Sequence, residues 1–149
     1  MAKLGTSVYI NICASITKHY FDDILQQHGI KATQGIIIQT ISRLQPVAPI
    51  TIGHKLHLKK PTVTEHVKTL EALGYIKREP SEIDKRQIIL TLTEKGIKLR
   101  EDIRERVNEL EHTLFETFSP EEKATFEKLL LKFIRGQEDK LGKELHSHE

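Results

Sequence analysis

The chain predicts a mainly α fold carrying one small β-hairpin, and three observations support that expectation. The stretch Leu56–Thr93, LHLKKPTVTEHVKTLEALGYIKREPSEIDKRQIILTLT, passes from an apolar stripe at helical spacing to a Gly-Tyr-Ile exit and then to alternating Ile and Leu. Long segments on either side repeat their apolar residues every three or four positions. A Ser119-Pro120-Glu121-Glu122 capping box marks the start of a separate last helix.

Taken in order, Val8, Tyr9, Ile12, Cys13, Ile16, Tyr20 and Ile24 predict a first helix from Thr6 to about His28, ended by Gly29. Ile10, Ala14, Phe21 and Leu25 widen its stripe, so it needs more than one neighbour. A second helix is expected from about Thr33 through Ile36, Ile37, Ile38 and Ile41, stopping before Pro46. Pro46–Ile50 reads as a turn or short strand, and Pro49 suits the first turn of a short third helix ending near His57. A tight turn leads into the helix Pro61–Leu73, with Val63, Val67 and Leu70 inward and Gly74 closing it. Two short helices joined this way form a helix-turn-helix.

The hairpin is expected from Tyr75–Arg78, a polar tip of Pro80, Ser81, Glu82, Asp84 and Lys85, and a return over Gln87–Leu92. Thr93-Glu94 then caps a charged helix to about Phe118, whose seam is Ile103, Val107, Leu110, Leu114 and Phe118. The last helix places Phe126, Leu129, Leu130, Phe133 and Ile134 on one side. Its fraying is expected to begin at Gly136, with residues 139–149 a flexible tail. The winged-helix lobe thus spans about 32–92, flanked by assembly helices at about 6–28 and 93–138. Such a narrow apolar seam on a charged rod needs a partner. Val8, Ile12, Ile16, Leu110, Leu114, Phe118, Phe126, Leu130 and Phe133 are therefore expected to pack against a second copy.

Composition bounds the function. The 149 residues, 38% hydrophobic and 30% charged, suit one soluble domain with an Ile/Leu/Val core, since Trp is absent. No apolar run approaches the roughly 18 residues of a membrane span, and no signal-peptide pattern opens the chain. A lone cysteine, Cys13, excludes an intramolecular disulfide framework. A cytoplasmic protein is expected. Residues 1–92 hold 12 Lys/Arg against 7 Asp/Glu, whereas residues 93–149 hold 11 against 14. The basic front turns toward a polyanion. Paired carboxylates, a nucleophile arrangement and a phosphate loop are all missing, so no enzyme and no cofactor are expected.

The run T62-V-T-E-H-V-K-T-L-E-A-L-G-Y-I-K-R78, then D84-K-R86, then L92-T-E-K-G96, resembles the MarR family of transcription regulators over residues about 6–138. The resemblance implies a homodimer with one winged helix per lobe, a pseudo-palindromic double-stranded DNA operator and a repressor released by a small-molecule effector. A metal- or redox-responsive regulator of this fold, or a winged helix that binds protein instead of DNA, are the alternatives. The chain departs from the family pattern in three places. Lys60 stands where a small capping residue is usual, Glu65 and His66 replace a basic and an apolar residue, and Lys31 replaces a Thr or Ser opening the second helix.

Major-groove reading needs polar groups on the outer face of the helix and cations for the flanking phosphates. Thr62, Thr64, Glu65, Lys68 and Thr69 offer base contacts, and Lys55, Lys59 and Lys60 offer phosphate contacts. At the hairpin tip Arg86 is expected in a minor groove, held by Asp84, with Lys85, Arg78 and Lys77 as phosphate contacts or solvated charges. The reactive cysteine of the family's peroxide sensors falls nearer Ser7, almost two turns before Cys13, which reads as a buried small hydrophobe. The eight histidines, including His54 and His57 on one face, lack a metal-ligand spacing, so no metal site is expected. Tyr9, Tyr20, Phe21 and His19 border any ligand cleft, but they serve equally as interface core, and no ligand residue is nominated.

Overall fold

The computed structural model describes residues 3–146, with side chains placed as far as Lys140 except Asp139. In chain order the elements are α1 (Thr6–Gln26), α2 (Ala32–Leu44), α3 (Pro49–Leu56), α4 (Lys60–Ala72), β1 (Ile76–Pro80), β2 (Ile88–Leu92), α5 (Glu94–Leu114) and α6 (Pro120–His146). The strands pair antiparallel, with Ile76 opposite Leu92 and Pro80 opposite Ile88. Val47, in the expected short-strand segment, bridges Leu90 through two backbone hydrogen bonds of 3.2 and 2.8 Å. Gln45 extends that edge, its Oε1 accepting the Leu92 N–H at 2.9 Å.

The core lies in the lobe formed by α2–α4 and the hairpin. Ile37, Ile38 and Ile41 of α2, Ile52 of α3, Leu70 of α4 and Leu90 of β2 are wholly buried, and Leu25, Leu99 and Ile103 close it from α1 and α5. Each such aliphatic side chain contributes about 1.5–3 kcal/mol on burial. The α5 seam is therefore divided. Ile103 and Val107 pack on the chain's own lobe, and Leu110, expected at the interface between copies, is already buried within one chain.

Several boundaries differ from the sequence expectation. The charged helix stops at Leu114, short of Phe118, because Phe115, Phe118 and Phe126 collect into an aromatic cluster with centroids 5.2–6.0 Å apart. Ser119 and Glu122 then form the capping box, with reciprocal bonds of 2.9 and 3.1 Å. Glu111 binds Lys123 at 2.6 Å across the α5–α6 corner and holds its ammonium pKa above the ordinary lysine range. Past Gly136, where fraying was expected, α6 stays helical to His146, since one glycine in a charged helix costs only about 1 kcal/mol. Residues 147–149 of the expected tail lie outside the described residues.

The unusual opening of α2 has a tertiary solution. Lys31 sits at its N-cap without a capping side chain, but Asp22 of α1 accepts the Ala32 N–H at 3.2 Å and Gln34 accepts the Lys31 N–H at 2.9 Å. Lys18, at 2.6 Å, and then the Ala32 N–H keep the Asp22 carboxyl below its usual pKa of 3.8. A lowered carboxylate contributes stability above its unfolded pKa and loses it as pH falls through the folded value. Asp22→Ala is thus expected to lower the melting temperature by a few degrees at neutral pH. The gap to wild type should close as the pH is taken below 3.8 in a melting series.

Candidate nucleic-acid interface

The outward face of α4 is set by what its inward face must bury. Val63, Val67 and Leu70, at 0–3% exposure, face the core, which turns Thr64, Glu65 and Lys68 outward and leaves Thr62, His66 and Thr69 half-buried on one flank. Thr64 donates to the Lys60 carbonyl at 2.9 Å and Thr69 to that of Glu65 at 3.2 Å. Their hydroxyl protons are committed to the helix, so both present lone pairs and methyl groups outward instead of free donors.

The turn before α4 is compact because His57 adopts a left-handed conformation, φ 53°, letting the Leu58 N–H reach the Gly53 carbonyl at 2.9 Å. The N-cap of α4 is Lys59, one residue earlier than the sequence suggested, with Lys60 and Pro61 opening the first turn. Lys55, Lys59 and Lys60, all exposed, thereby gather around the α3–α4 turn. Cations at a helix N-terminus oppose the macrodipole, and a nearby polyanion would relieve them.

At the hairpin tip the polar residues build a defined turn. Ser81 Oγ accepts the Ile83 and Asp84 N–H groups at 3.2 and 3.4 Å, and Ser81 N–H donates to the Gln87 carbonyl at 2.8 Å. Asp84 Oδ1 accepts both the Arg86 N–H at 3.1 Å and its Nε at 3.3 Å. The Arg86 side chain is 93% exposed yet held by this pair, as the sequence suggested. Lys85 is exposed beside it. Arg78 is committed elsewhere, its Nε bound to Glu71 of α4 at 3.1 Å, and Lys77 pairs with Glu79 at 3.2 Å.

A joint the sequence did not reveal connects this surface to α5. The α4 end is a Schellman motif, with Tyr75 N–H to the Leu70 carbonyl and Gly74 N–H to that of Glu71, both 3.0 Å. Gly74 supplies the required positive φ, 81°. Thr93 Oγ1 donates to the Gly74 carbonyl at 2.5 Å and accepts the Gly96 N–H at 3.1 Å, while Thr93 N–H reaches the Tyr75 carbonyl at 3.1 Å. Lys95 donates to the Leu73 carbonyl at 2.7 Å, and Tyr75 OH reaches back to the His28 carbonyl at 3.1 Å. The Leu-Thr-Glu-Lys-Gly run is therefore a clasp between α4 and α5.

Two clefts flank the lobe. One, about 430 Å³, lies among α1, α2 and α5 and is lined by Phe21, Leu25, Ile36 and Val107, with Arg43, Arg104, Gln39 and Asn108. Of the aromatics expected near a ligand cleft, only Phe21 lines it; Tyr20 and His19 are exposed. The other, about 670 Å³, is an apolar groove between α1, α5 and α6 that includes Tyr9, Cys13, Leu114, Phe126, Leu130 and Phe133. Cys13, read from the sequence as buried, is exposed in the single chain on the part of α1 that lines this groove. Among the described residues no three His, Cys, Asp or Glu side chains converge on a metal position, and no helix is long and apolar enough to cross a membrane.

Comparison with known proteins gives a consistent answer. The family model described as transcriptional regulator SarA/Rot matches residues 19–103, more than half of the chain. YwoH, an HTH-type transcriptional regulator of Bacillus subtilis, is 28% identical over 126 residues, covering 85% of this chain and 91% of its own. Among solved structures, MepR of Staphylococcus aureus in its DNA complex superimposes with a TM-score of 0.81 at 26% identity, over 90% of this chain and 99% of MepR. A MarR protein from Peptoclostridium difficile reaches 0.86 at 23% identity, over 96% and 95% of the two chains. The chain belongs to the SarA/Rot family of transcriptional regulators, built on the MarR-type winged helix-turn-helix.

Proposed function

We propose that this regulator is a homodimer that represses transcription by binding a pseudo-palindromic double-stranded operator, and that a small-molecule effector releases it. The observation that carries the DNA reading is Arg86, almost fully exposed but restrained by Asp84 at the tip of an ordered wing. A guanidinium held this way loses little rotamer freedom on entering a narrow minor groove. Thr62, Thr64, Glu65, Lys68 and Thr69 would meet base edges from α4, and Lys55, Lys59, Lys60 and Lys85 would hold phosphates. Arg78 and Lys77, already paired to carboxylates, are the weaker candidates for a contact.

The second copy is supported by the groove between α1, α5 and α6. Val8, Ile12, Ile16, Leu130 and Phe133 are 39–51% exposed in the single chain, and Phe118 is 38% exposed, an apolar expanse that soluble monomers rarely leave open. Dimerisation would place two α4 helices about 34 Å apart, in successive major grooves. The effector reading is supported by the cleft among α1, α2 and α5. Its apolar walls with Arg43 and Arg104 suit an aromatic carboxylate, seated where the lobe meets the assembly helices.

Selection of bound DNA from a random pool, followed by titration across salt concentrations, tests this reading. A linear fall of log affinity with log salt is expected. Arg86→Ala should weaken binding by about 1–3 kcal/mol, roughly tenfold to a hundredfold, and flatten the salt slope by about one unit. Salt-insensitive binding, or an Arg86→Ala protein that binds like wild type, would refute the assignment and favour a protein-interaction module. Release of the bound operator by aromatic carboxylic acids is read in the same assay.

A further inference from the structure

We propose that Gln34 and His66 form a proton-sensitive latch that positions α4 against the amino end of α2. Gln34 is 6% exposed, the single buried polar side chain of the core among the described residues. Its Oε1 accepts the Lys31 N–H at 2.9 Å, which fixes the amide orientation, because the reverse flip would set two donors face to face. The Nε2 group must then point at His66 Nδ1, 3.2 Å away, and donate to it. An imidazole nitrogen that accepts carries no proton, so this contact calls for the His66 tautomer with its proton on Nε2.

Protonation would place an N–H against the Gln34 N–H, leaving a buried donor without an acceptor. The amino end of α2 brings Lys31, the positive end of the helix dipole and the Asp22 carboxylate, which is paired with Lys18. Of the elements packed on α4, α3 carries His54 and Lys55 and is followed by His57, and β1 carries Lys77 and Arg78, the latter already bound to Glu71. On α4 itself Glu65 and Lys68 are exposed, and Glu71 is bound to Arg78. Gln34 and His66 are thus positioning residues. They hold the α4 flank that carries Thr62 and Thr69, and acid loosens the hold.

The latch itself is read in the free full-length protein; its effect on DNA rests on the interface proposed above. The imidazole nitrogen shifts of His66 at neutral pH should show Nδ1 bare and Nε2 protonated. Between about pH 7.5 and 5.5 wild type should lose about tenfold more affinity for the selected DNA than His66→Asn. The asparagine Oδ1 occupies the Nδ1 position and takes up no proton, while His54 and His57 are left unchanged. Gln34→Glu should reverse the sign, because a carboxylate accepts from the protonated ring and acid then strengthens the contact. Melting temperatures of the three proteins over the same pH range should keep this order without DNA. An Nδ1-protonated His66, or three parallel pH profiles of melting, overturns the latch. Failure to bind any DNA while the melting order holds overturns only the DNA interface.

Discussion

Gly96→Ala is expected to destabilise the chain by about 3 kcal/mol and to lower its melting temperature by roughly 10 °C at fixed protein concentration. A Cβ at this position would overlap the Tyr75 carbonyl oxygen and lie 3.0 Å from its carbon. These are backbone atoms that cannot swing aside. The same carbonyl accepts the Thr93 N–H, so moving it also disturbs the clasp of Thr93 on Gly74. Gly35 provides a contrast. A Cβ there would meet Leu25 Cδ1 at 2.7 Å, a side-chain methyl able to rotate. Gly35→Ala should therefore cost less, and calorimetry that ranks the two the other way would remove the close-approach explanation. The clasp joins the end of α4 to the start of α5. Loosening it should also blunt any effector's influence on DNA, beyond the loss of stability.

The second large effect is expected at the groove between α1, α5 and α6. Replacing Leu130 and Phe133 together with Glu should leave a folded monomer. Both side chains are already 39% and 51% exposed in the single chain, so the substitutions bury no charge within it. Against a second copy they would place four unpaired carboxylates in an apolar interface, at several kcal/mol each. Sedimentation should report the monomer mass with unchanged helicity. Operator affinity should fall about a hundredfold to ten-thousandfold, because each lobe must then bind without its tethered twin. A variant that remains dimeric would show that the copies meet elsewhere.

Much of the fold was legible because its signals are local. The 3.6-residue stripe of Val63, Val67 and Leu70 and the alternation of Leu90 and Leu92 report burial directly. Ser119 and Glu122 announce a helix start that depends on no distant residue. The end of α5 was misplaced because Phe115 and Phe118 continue a helical pattern, yet gain more by meeting Phe126 around the corner. Cys13 reads as buried because its face of α1 is apolar, but in the single chain that face borders an open groove.

The interface divides in the same way. The cations near the α3–α4 turn and the Asp84–Arg86 pair are close in sequence, so residue type and spacing disclosed them. The commitments of Arg78 to Glu71, seven positions away, and of His66 to Gln34, thirty-two away, were not readable. Likewise Lys31 looked like a poor helix start until Asp22 was found to cap α2 from α1. By itself the sequence determined where helices and hairpin lie and which faces turn inward, since those follow from propensity, periodicity and caps within a few residues. Only the tertiary structure decided which polar groups are already spent on one another. A hydrogen bond or ion pair between distant segments depends on how they pack, and that packing leaves Arg86 presented outward and His66 held within.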